Sequence, residues 1–251
     1  MINTESKKYK GLGLYAFLIL MLCVHVPVLG VVAFEHSFSQ DIYPLFSLLD
    51  GYFLFQLIFN PVLLSSLVKK VVEIEEKNNM FQLQEMLGVE PSTLLFRKWS
   101  WLSLRLFILQ LVEWALILHM AAQSDHFHLS QVASARVAVT FFSQWLIASA
   151  FVALFLILDT RAKSPYFTLF IAMAGALSGI LSMLTSHALT LINPFAWYSS
   201  LLSISYVKGS ESFTRVINPV PWLSLAVSLA GLLICLFIIK RHTRIRSEKT
   251  I

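Results

Sequence analysis

Charged residues are scarce in this chain of 251 residues. Only 13% of the residues are Asp, Glu, Lys or Arg, and 57% are hydrophobic, whereas a soluble domain carries about twice that charged fraction. No segment is long and polar enough to fold as a separate soluble domain. The composition therefore excludes an ordinary water-soluble enzyme and favours one integrated membrane domain that covers residues 1–251.

Several familiar site motifs are also missing. The chain has no G-x-x-x-x-G-K-[ST] nucleotide-binding motif and no H-E-x-x-H motif, so any ATP chemistry belongs to another chain. Cys23 and Cys235 both lie in apolar runs and are typical of buried hydrophobic residues rather than of a disulfide. His126 and His128 lie close together beside Asp125, but no second ligand pair has useful spacing. We therefore expect no metal site and no cofactor in this chain.

Long apolar runs are what the chain does contain. A helix needs about 20 apolar residues to cross the hydrocarbon core of a bilayer. The runs predict an all-α polytopic membrane protein whose six spans cover 11–34, 43–68, 99–122, 137–158, 166–187 and 221–239. The first run is too long for the apolar region of a cleavable signal peptide, and no small-residue cleavage site follows it.

The distribution of lysine and arginine predicts the orientation of the spans. Cytoplasmic loops carry an excess of these residues. With both termini inside, the cytosolic segments hold Lys7, Lys8, Lys10, Lys69, Lys70, Lys77, Arg97, Lys98, Arg161, Lys163, Lys240, Arg241, Arg244, Arg246 and Lys249. The outer segments hold only Arg136, Lys208 and Arg215. We therefore expect both termini, and the polar stretch 71–98, in the cytosol.

The connection 188–220 between the fifth and sixth spans is semi-apolar, and its middle, 193–207, is apolar and aromatic but too short to cross the membrane. Asn193-Pro194 can start or break a helix. The segment predicts an outer hairpin that re-enters the membrane. The alternative is an ordinary loop on the headgroups, with Trp197 and Tyr198 as interfacial aromatic residues.

The polar stretch 71–98 predicts a short amphipathic helix at 78–88. Met80, Leu83 and Leu87 recur at helical spacing, and Asn78 can cap the start. Gly88 suits the left-handed position that ends a helix. Pro91 then opens a second helix, which continues into the third span.

This stretch resembles the first cytoplasmic loop of ABC-2 type transporter permeases. The matching residues are Glu73, Glu75, Glu76, Asn78, Leu83, Leu87, Gly88 and Lys98. Six spans and an outer hairpin between spans five and six also match, although the family often has proline where Gly88 stands. Within the family, the chain resembles the small permeases of bacteriocin and lantibiotic immunity and of peptide export.

The resemblance implies an ABC-2 (ABCG-like) permease fold and a role in transport rather than catalysis. Residues 78–88 would be the coupling helix, whose contacts with a separate ATP-binding subunit involve Glu75, Glu76, Asn78, Met80, Leu83, Leu87 and Gly88. That subunit would bind ATP and Mg²⁺. The permease would pair with itself or with a sister permease in the bacterial cytoplasmic membrane. The expected cargo is a membrane-active peptide, exported outward, with a lipid or drug as the alternative.

Polar residues within the spans are costly there and mark possible functional sites. Arg105 and Glu113 are eight residues apart, so they share a face of the third span. The possible translocation path comprises Asp50, Gln56, Asn60, Arg105, Gln110 and Glu113, with Gln144 as a further polar neighbour. Arg105 can alternatively extend toward the cytosolic boundary, and the whole set can simply hold helices together.

Two other classes of protein remain alternatives. Glu75-Glu76 is reminiscent of the E-E-x-x-x-R motif of membrane-embedded proteases, but the arginine is missing. A membrane assembly factor without transport is the other alternative. Gly175 and Gly179 form a small-xxx-small pattern, which predicts packing of the fifth span against a neighbouring helix, a dimer mate or a gate.

Overall fold

The fold is described from a computed structural model that covers residues 13–33, 43–77, 83–84, 86–124, 134–161, 164, 166–208 and 213–241. Within these residues the helices are α1 (Leu14–Ala33), α2 (Pro44–Lys77), α3 (Pro91–Ala121), α4 (Ser134–Arg161), α5 (Phe167–Thr185), α6 (His187–Ile192) and α7 (Trp222–Lys240). All but α6 are long and apolar enough to cross a membrane. The prediction of a helical membrane protein with six spans is confirmed.

Helix α4 lies at the centre of the bundle. In its most apolar window 72% of the residues are buried, against 28% in α1, 28% in α5 and 22% in α7. It packs against α2, α3 and α7. The outer helices expose apolar side chains, as expected for surfaces that face lipid tails.

Helices α2 and α3 are longer than the predicted spans. Helix α2 has 34 residues, which corresponds to about 51 Å, whereas the hydrocarbon core is about 30 Å thick. The buried face of α2 continues past Val68 through Val71 and Val72 to Glu75. The prediction that residues 71–77 belong to the loop after the second span is therefore wrong, because these residues extend α2. The prediction that Pro91 opens a helix that continues into the third span is confirmed.

The connection between α5 and α7 has more structure than an extended loop. Helix α6 is followed by a 3-10 helix, Pro194–Leu201, and by two strands, β1 (Ile204–Lys208) and β2 (Phe213–Ile217). The strands pair in antiparallel register, with Tyr206 opposite Arg215. This β-hairpin corrects the all-α prediction in one place.

The 3-10 helix enters the bundle and packs against the middle of two spans. A Cβ atom on Gly175 of α5 would lie 2.3 Å from the ring of Phe195, and one on Gly179 would lie 2.5 Å from the Phe195 carbonyl. A Cβ atom on Gly231 of α7 would lie 2.2 Å from Trp197. Gly175 and Gly179, which were predicted to pack against a neighbouring helix, thus pack against the 3-10 helix of the same chain.

The two ends of the bundle differ in their contacts. At one end, Lys69 of α2 lies 3.4 Å from Asp159 of α4, and Thr168 of α5 donates a hydrogen bond to the same carboxylate. Lys70 donates to the carbonyl of Gly13, before α1. At the other end, Ser224 of α7 donates to the carbonyl of Ser200. We call the end that contains Lys69 and Lys70 the lysine-rich end. Helix α1 therefore starts at this end, and α7 ends there.

Candidate functional site

A small polar cavity lies in the interior of the bundle. Its polar lining consists of His25 of α1, Gln56 and Asn60 of α2, Gln110 and Glu113 of α3, Gln144 of α4 and Tyr198 of the 3-10 helix. Its volume of about 20 Å³ is enough for a water molecule. Five elements of the fold thus place polar side chains around one cavity.

A chain of hydrogen bonds runs through this site. Trp114 Nε1 donates to Gln144 Oε1 at 2.7 Å, and Gln144 Nε2 donates to the Tyr52 hydroxyl at 2.7 Å. The Tyr52 hydroxyl donates to Glu113 Oε2 at 2.5 Å. The other carboxylate oxygen of Glu113 lies 2.5 Å from His25 Nδ1. The site therefore holds an acidic and a basic side chain in direct contact within the membrane interior.

Three buried polar atoms on the cavity wall have no hydrogen-bond partner among the described residues. They are His25 Nε2, Gln56 Oε1 and Asn60 Oδ1. Asn60 Nδ2 donates to the Tyr198 hydroxyl at 2.7 Å. Burial raises the pKa of the Tyr198 phenol far above its ordinary value, so this side chain stays neutral. A buried polar atom without a partner is costly, so these atoms are positioned to bind a water molecule or a small polar ligand in the cavity.

Four of the six residues predicted for a translocation path meet at this cavity. They are Gln56, Asn60, Gln110 and Glu113. Asp50 lies elsewhere: its carboxylate accepts hydrogen bonds from the backbone of Ser203 and Ile204 at 2.6 and 2.9 Å. Asp50 thus anchors the β-hairpin to α2.

Arg105 also lies outside the cavity. Its guanidinium packs over the rings of Tyr15 and Trp101 at 5.4 and 5.3 Å. Arg105 and Glu113 both face α1, as their spacing predicts, but they contact different residues of it. The position of Arg105 beside Tyr15, near the start of α1, agrees with its alternative interpretation as a residue that extends toward the lysine-rich end.

The sequence interpretation missed His25, Tyr52 and Trp114 as members of the site. A single histidine in an apolar run is common in helix interiors, and Tyr52 and Trp114 are typical of a membrane core. His25 could have been found in the sequence because an ionisable side chain at the middle of a span is costly. The same argument had identified Glu113.

The described residues between α2 and α3 include exposed apolar side chains. Leu83, Met86 and Leu87 are 49, 82 and 74% exposed. Gly88 has φ of +79°, and the Val89 amide donates to the carbonyl of Gln84, as expected where a helix ends. We call the described residues 83–84 and 86–88 the 83–88 turn. Asn78 and Met80, which the prediction included, lie outside the described residues.

Glu75 and Glu76 have different positions, although both were predicted to contact a partner. Glu76 is exposed. Glu75 is fully buried and lies 2.6 Å from Lys98 Nζ, which is also buried. Glu75 therefore joins α2 to α3 inside the bundle and does not belong to a docking surface.

The described residues contain no group of three His, Cys, Asp or Glu side chains that could hold a metal ion. His126 and His128 lie outside these residues. Comparisons of the chain with protein-family models, with curated proteins and with solved structures found no match. The functional interpretation therefore rests on the chain itself.

Proposed function

We propose that the chain is the permease subunit of an ABC-2 type exporter in the bacterial cytoplasmic membrane. A separate ATP-binding subunit supplies ATP hydrolysis, and a second permease, identical or related, completes the transporter. The cargo is a membrane-active peptide or another amphipathic molecule, which can enter laterally from the bilayer. Six spans and a re-entrant segment between the last two support this proposal.

The observation that carries the proposal is the 83–88 turn. It joins the two longest helices at the lysine-rich end and presents Leu87 and Met86 to solvent. Exposed apolar side chains rimmed by charged residues are typical of interaction sites. A motor subunit that docks on this turn would act directly on α2 and α3.

Ion pairs connect the turn to the rest of the bundle. The Glu75–Lys98 pair fixes α2 against α3, and the Lys69–Asp159 pair links α2 to α4. Thr168 extends this second connection to α5. A displacement of the turn would therefore be transmitted to α2, α3, α4 and α5 through these side-chain contacts.

The proposal is tested by co-purification with ATP-binding cassette proteins encoded nearby, followed by measurement of vanadate-sensitive ATP hydrolysis. Leu83→Asp and Leu87→Asp place a charge on the docking surface, so we expect transport to be lost while the variants remain inserted. Tyr206→Asp is the matched control, because Tyr206 is 65% exposed at the hairpin end and should not affect coupling. If no ATP-binding protein associates with the chain, the proposal is refuted. Unchanged transport in both leucine variants would refute the docking assignment alone.

A further inference from the structure

The donor and acceptor roles around Glu113 are fixed by one residue. The indole nitrogen of Trp114 can only donate a hydrogen bond, so the Gln144 atom that it contacts is the carbonyl oxygen. The Gln144 amide nitrogen must then face Tyr52, whose oxygen accepts. The single hydroxyl proton of Tyr52 is left for Glu113 Oε2. This oxygen of Glu113 is therefore an acceptor.

The contact between Glu113 and His25 then requires one proton. Glu113 Oε1 and His25 Nδ1 lie 2.5 Å apart, and two bare acceptors would repel at this distance. With a proton on Nδ1, Glu113 is a carboxylate that accepts from both His25 and Tyr52. The pair is then negative if the other ring nitrogen, Nε2, is bare, and neutral if Nε2 carries a proton.

His25 Nε2 faces the cavity and is where a second proton can bind. Without this second proton, the Glu113 carboxylate is an uncompensated negative charge in a low-dielectric interior, which is strongly unfavourable. With it, the imidazolium and the carboxylate form a neutral pair. No other charged side chain lines the cavity among the described residues, and Arg105 packs on Tyr15 and Trp101 instead. His25 is thus the group that can neutralise Glu113.

A single water molecule would complete the site. It could accept a hydrogen bond from a protonated Nε2 and donate to Gln56 Oε1 and Asn60 Oδ1, the two other atoms without partners. Buried waters commonly make about three such bonds. One water therefore satisfies the three unpartnered atoms, provided that Nε2 carries a proton.

We propose that His25 and Glu113 form a proton-binding site that opens onto a hydrated cavity. A proton from solvent reaches the cavity water and binds the lone pair of Nε2, which gives an imidazolium paired with the Glu113 carboxylate. The groups that face the pair are Tyr52 from α2, Gln144 from α4 and Tyr198 from the 3-10 helix. This inference does not depend on the transport proposal, because it concerns the charge state of the bundle interior.

The test is ¹⁵N nuclear magnetic resonance of the full chain, labelled at histidine and embedded in lipid nanodiscs. In the unmodified protein we expect both ring nitrogens of His25 to be protonated, with the Nε2 proton exchanging with water. In Glu113→Gln, the new amide donates to Nδ1. We therefore expect loss of the imidazolium signal and a neutral ring with a bare Nδ1.

His25→Gln identifies the signal by its disappearance, and His119→Gln is the matched control because His119 is exposed on α3. If His25→Gln does not fold, the signal is assigned through its proximity to ¹³C-labelled Tyr52, whose ring centroid lies 5.9 Å away. A bare nitrogen on His25 in the unmodified protein at neutral pH would overturn the proposal. So would an imidazolium that persists in Glu113→Gln, because the carboxylate would then not be what holds the proton.

Discussion

Adjacent glutamates on α2 show how strongly position decides the role of a side chain. Glu75 is buried against Lys98 at 2.6 Å, and Glu76 points to solvent. The helical period of the buried face includes residue 75 and excludes residue 76. The charge of a residue alone could not distinguish them, and the sequence interpretation accordingly treated both as partner contacts.

Glu75→Gln is expected to lower the free energy of unfolding by about 3 kcal/mol, because it leaves the Lys98 ammonium buried without its carboxylate. Glu76→Gln should change it by less than about 0.5 kcal/mol, as is usual for exposed positions. Thermal unfolding in nanodiscs measures both. Equal effects of the two substitutions would show that the burial of Glu75 is not energetically important.

Gly88→Ala tests the backbone of the 83–88 turn. No atom lies within 4 Å of the added Cβ, so the expected cost comes only from φ of +79°, about 1–2 kcal/mol. Gly88→Asn should cost less, since asparagine tolerates this conformation better. Hydrogen exchange of the Val89 amide, which donates to Gln84, reports the loosening. An equal or greater cost for asparagine would argue against the left-handed conformation.

Among the elements, the 3-10 helix packs its aromatic side chains against glycines of two spans. Phe195 lies on Gly175 and Gly179, and Trp197 lies on Gly231. Asn193 precedes the helix and donates to the hydroxyls of Ser178 and Ser182 at 3.1 and 2.9 Å. Hydroxyl and amide side chains thus stabilise a short segment that the hydrophobic effect alone would not orient.

Gly231→Ala is expected to destabilise the protein by about 1–3 kcal/mol, because the new methyl group would overlap Trp197. The cost should fall in a Trp197→Leu background, where the ring is absent, and the difference is measured by a double-mutant cycle. Ala230→Val, on the exposed side of α7, is the control. If Gly231→Ala costs the same with and without Trp197→Leu, the new methyl group does not clash with Trp197.

The sequence predicted the number of long elements better than their ends. Apolar length identifies a span, but α2 continues beyond it because Val71, Val72 and Glu75 keep the buried helical face. The β-hairpin was missed because its stability depends on Asp50, which accepts hydrogen bonds from Ser203 and Ile204. A contact between residues about 150 positions apart leaves no local pattern in the sequence.

For the whole molecule, the two ends of the bundle predict its orientation. The 83–88 turn lies at the lysine-rich end, and Arg215 of the β-hairpin donates to Ser47 near the start of α2, at the other end. Lysine and arginine favour the cytoplasmic side. The hairpin is therefore expected to face outward.

Single cysteines test this orientation in a background where Cys23 and Cys235 are replaced by alanine. Leu87→Cys should react with a membrane-impermeant maleimide only after the cytoplasmic side is opened, whereas Tyr206→Cys should react in intact cells. Both positions are well exposed, at 74 and 65%, so a difference in labelling reports the side of the membrane. Labelling in the reverse order would show the opposite orientation and would remove the cytoplasmic docking surface.

The candidate site was predictable in part at this scale. Gln56, Asn60, Gln110 and Glu113 were selected as costly polar residues within spans, and the fold gathers them around one cavity. Their common location depends on how α2 and α3 pack around α4, which helical periodicity alone does not specify. His25 completes the site from α1, so its role became evident only from the three-dimensional arrangement.

The positions of Phe195 and Trp197 also have a consequence for biosynthesis. Phe195 packs on glycines of α5, which leaves the ribosome before the 3-10 helix, but Trp197 packs on Gly231 of α7, which is made after it. The 3-10 helix can therefore reach its final place only after α7 has been made. Burial of Tyr198 against Asn60, and with it closure of the polar cavity, becomes a late event in the maturation of each newly made chain.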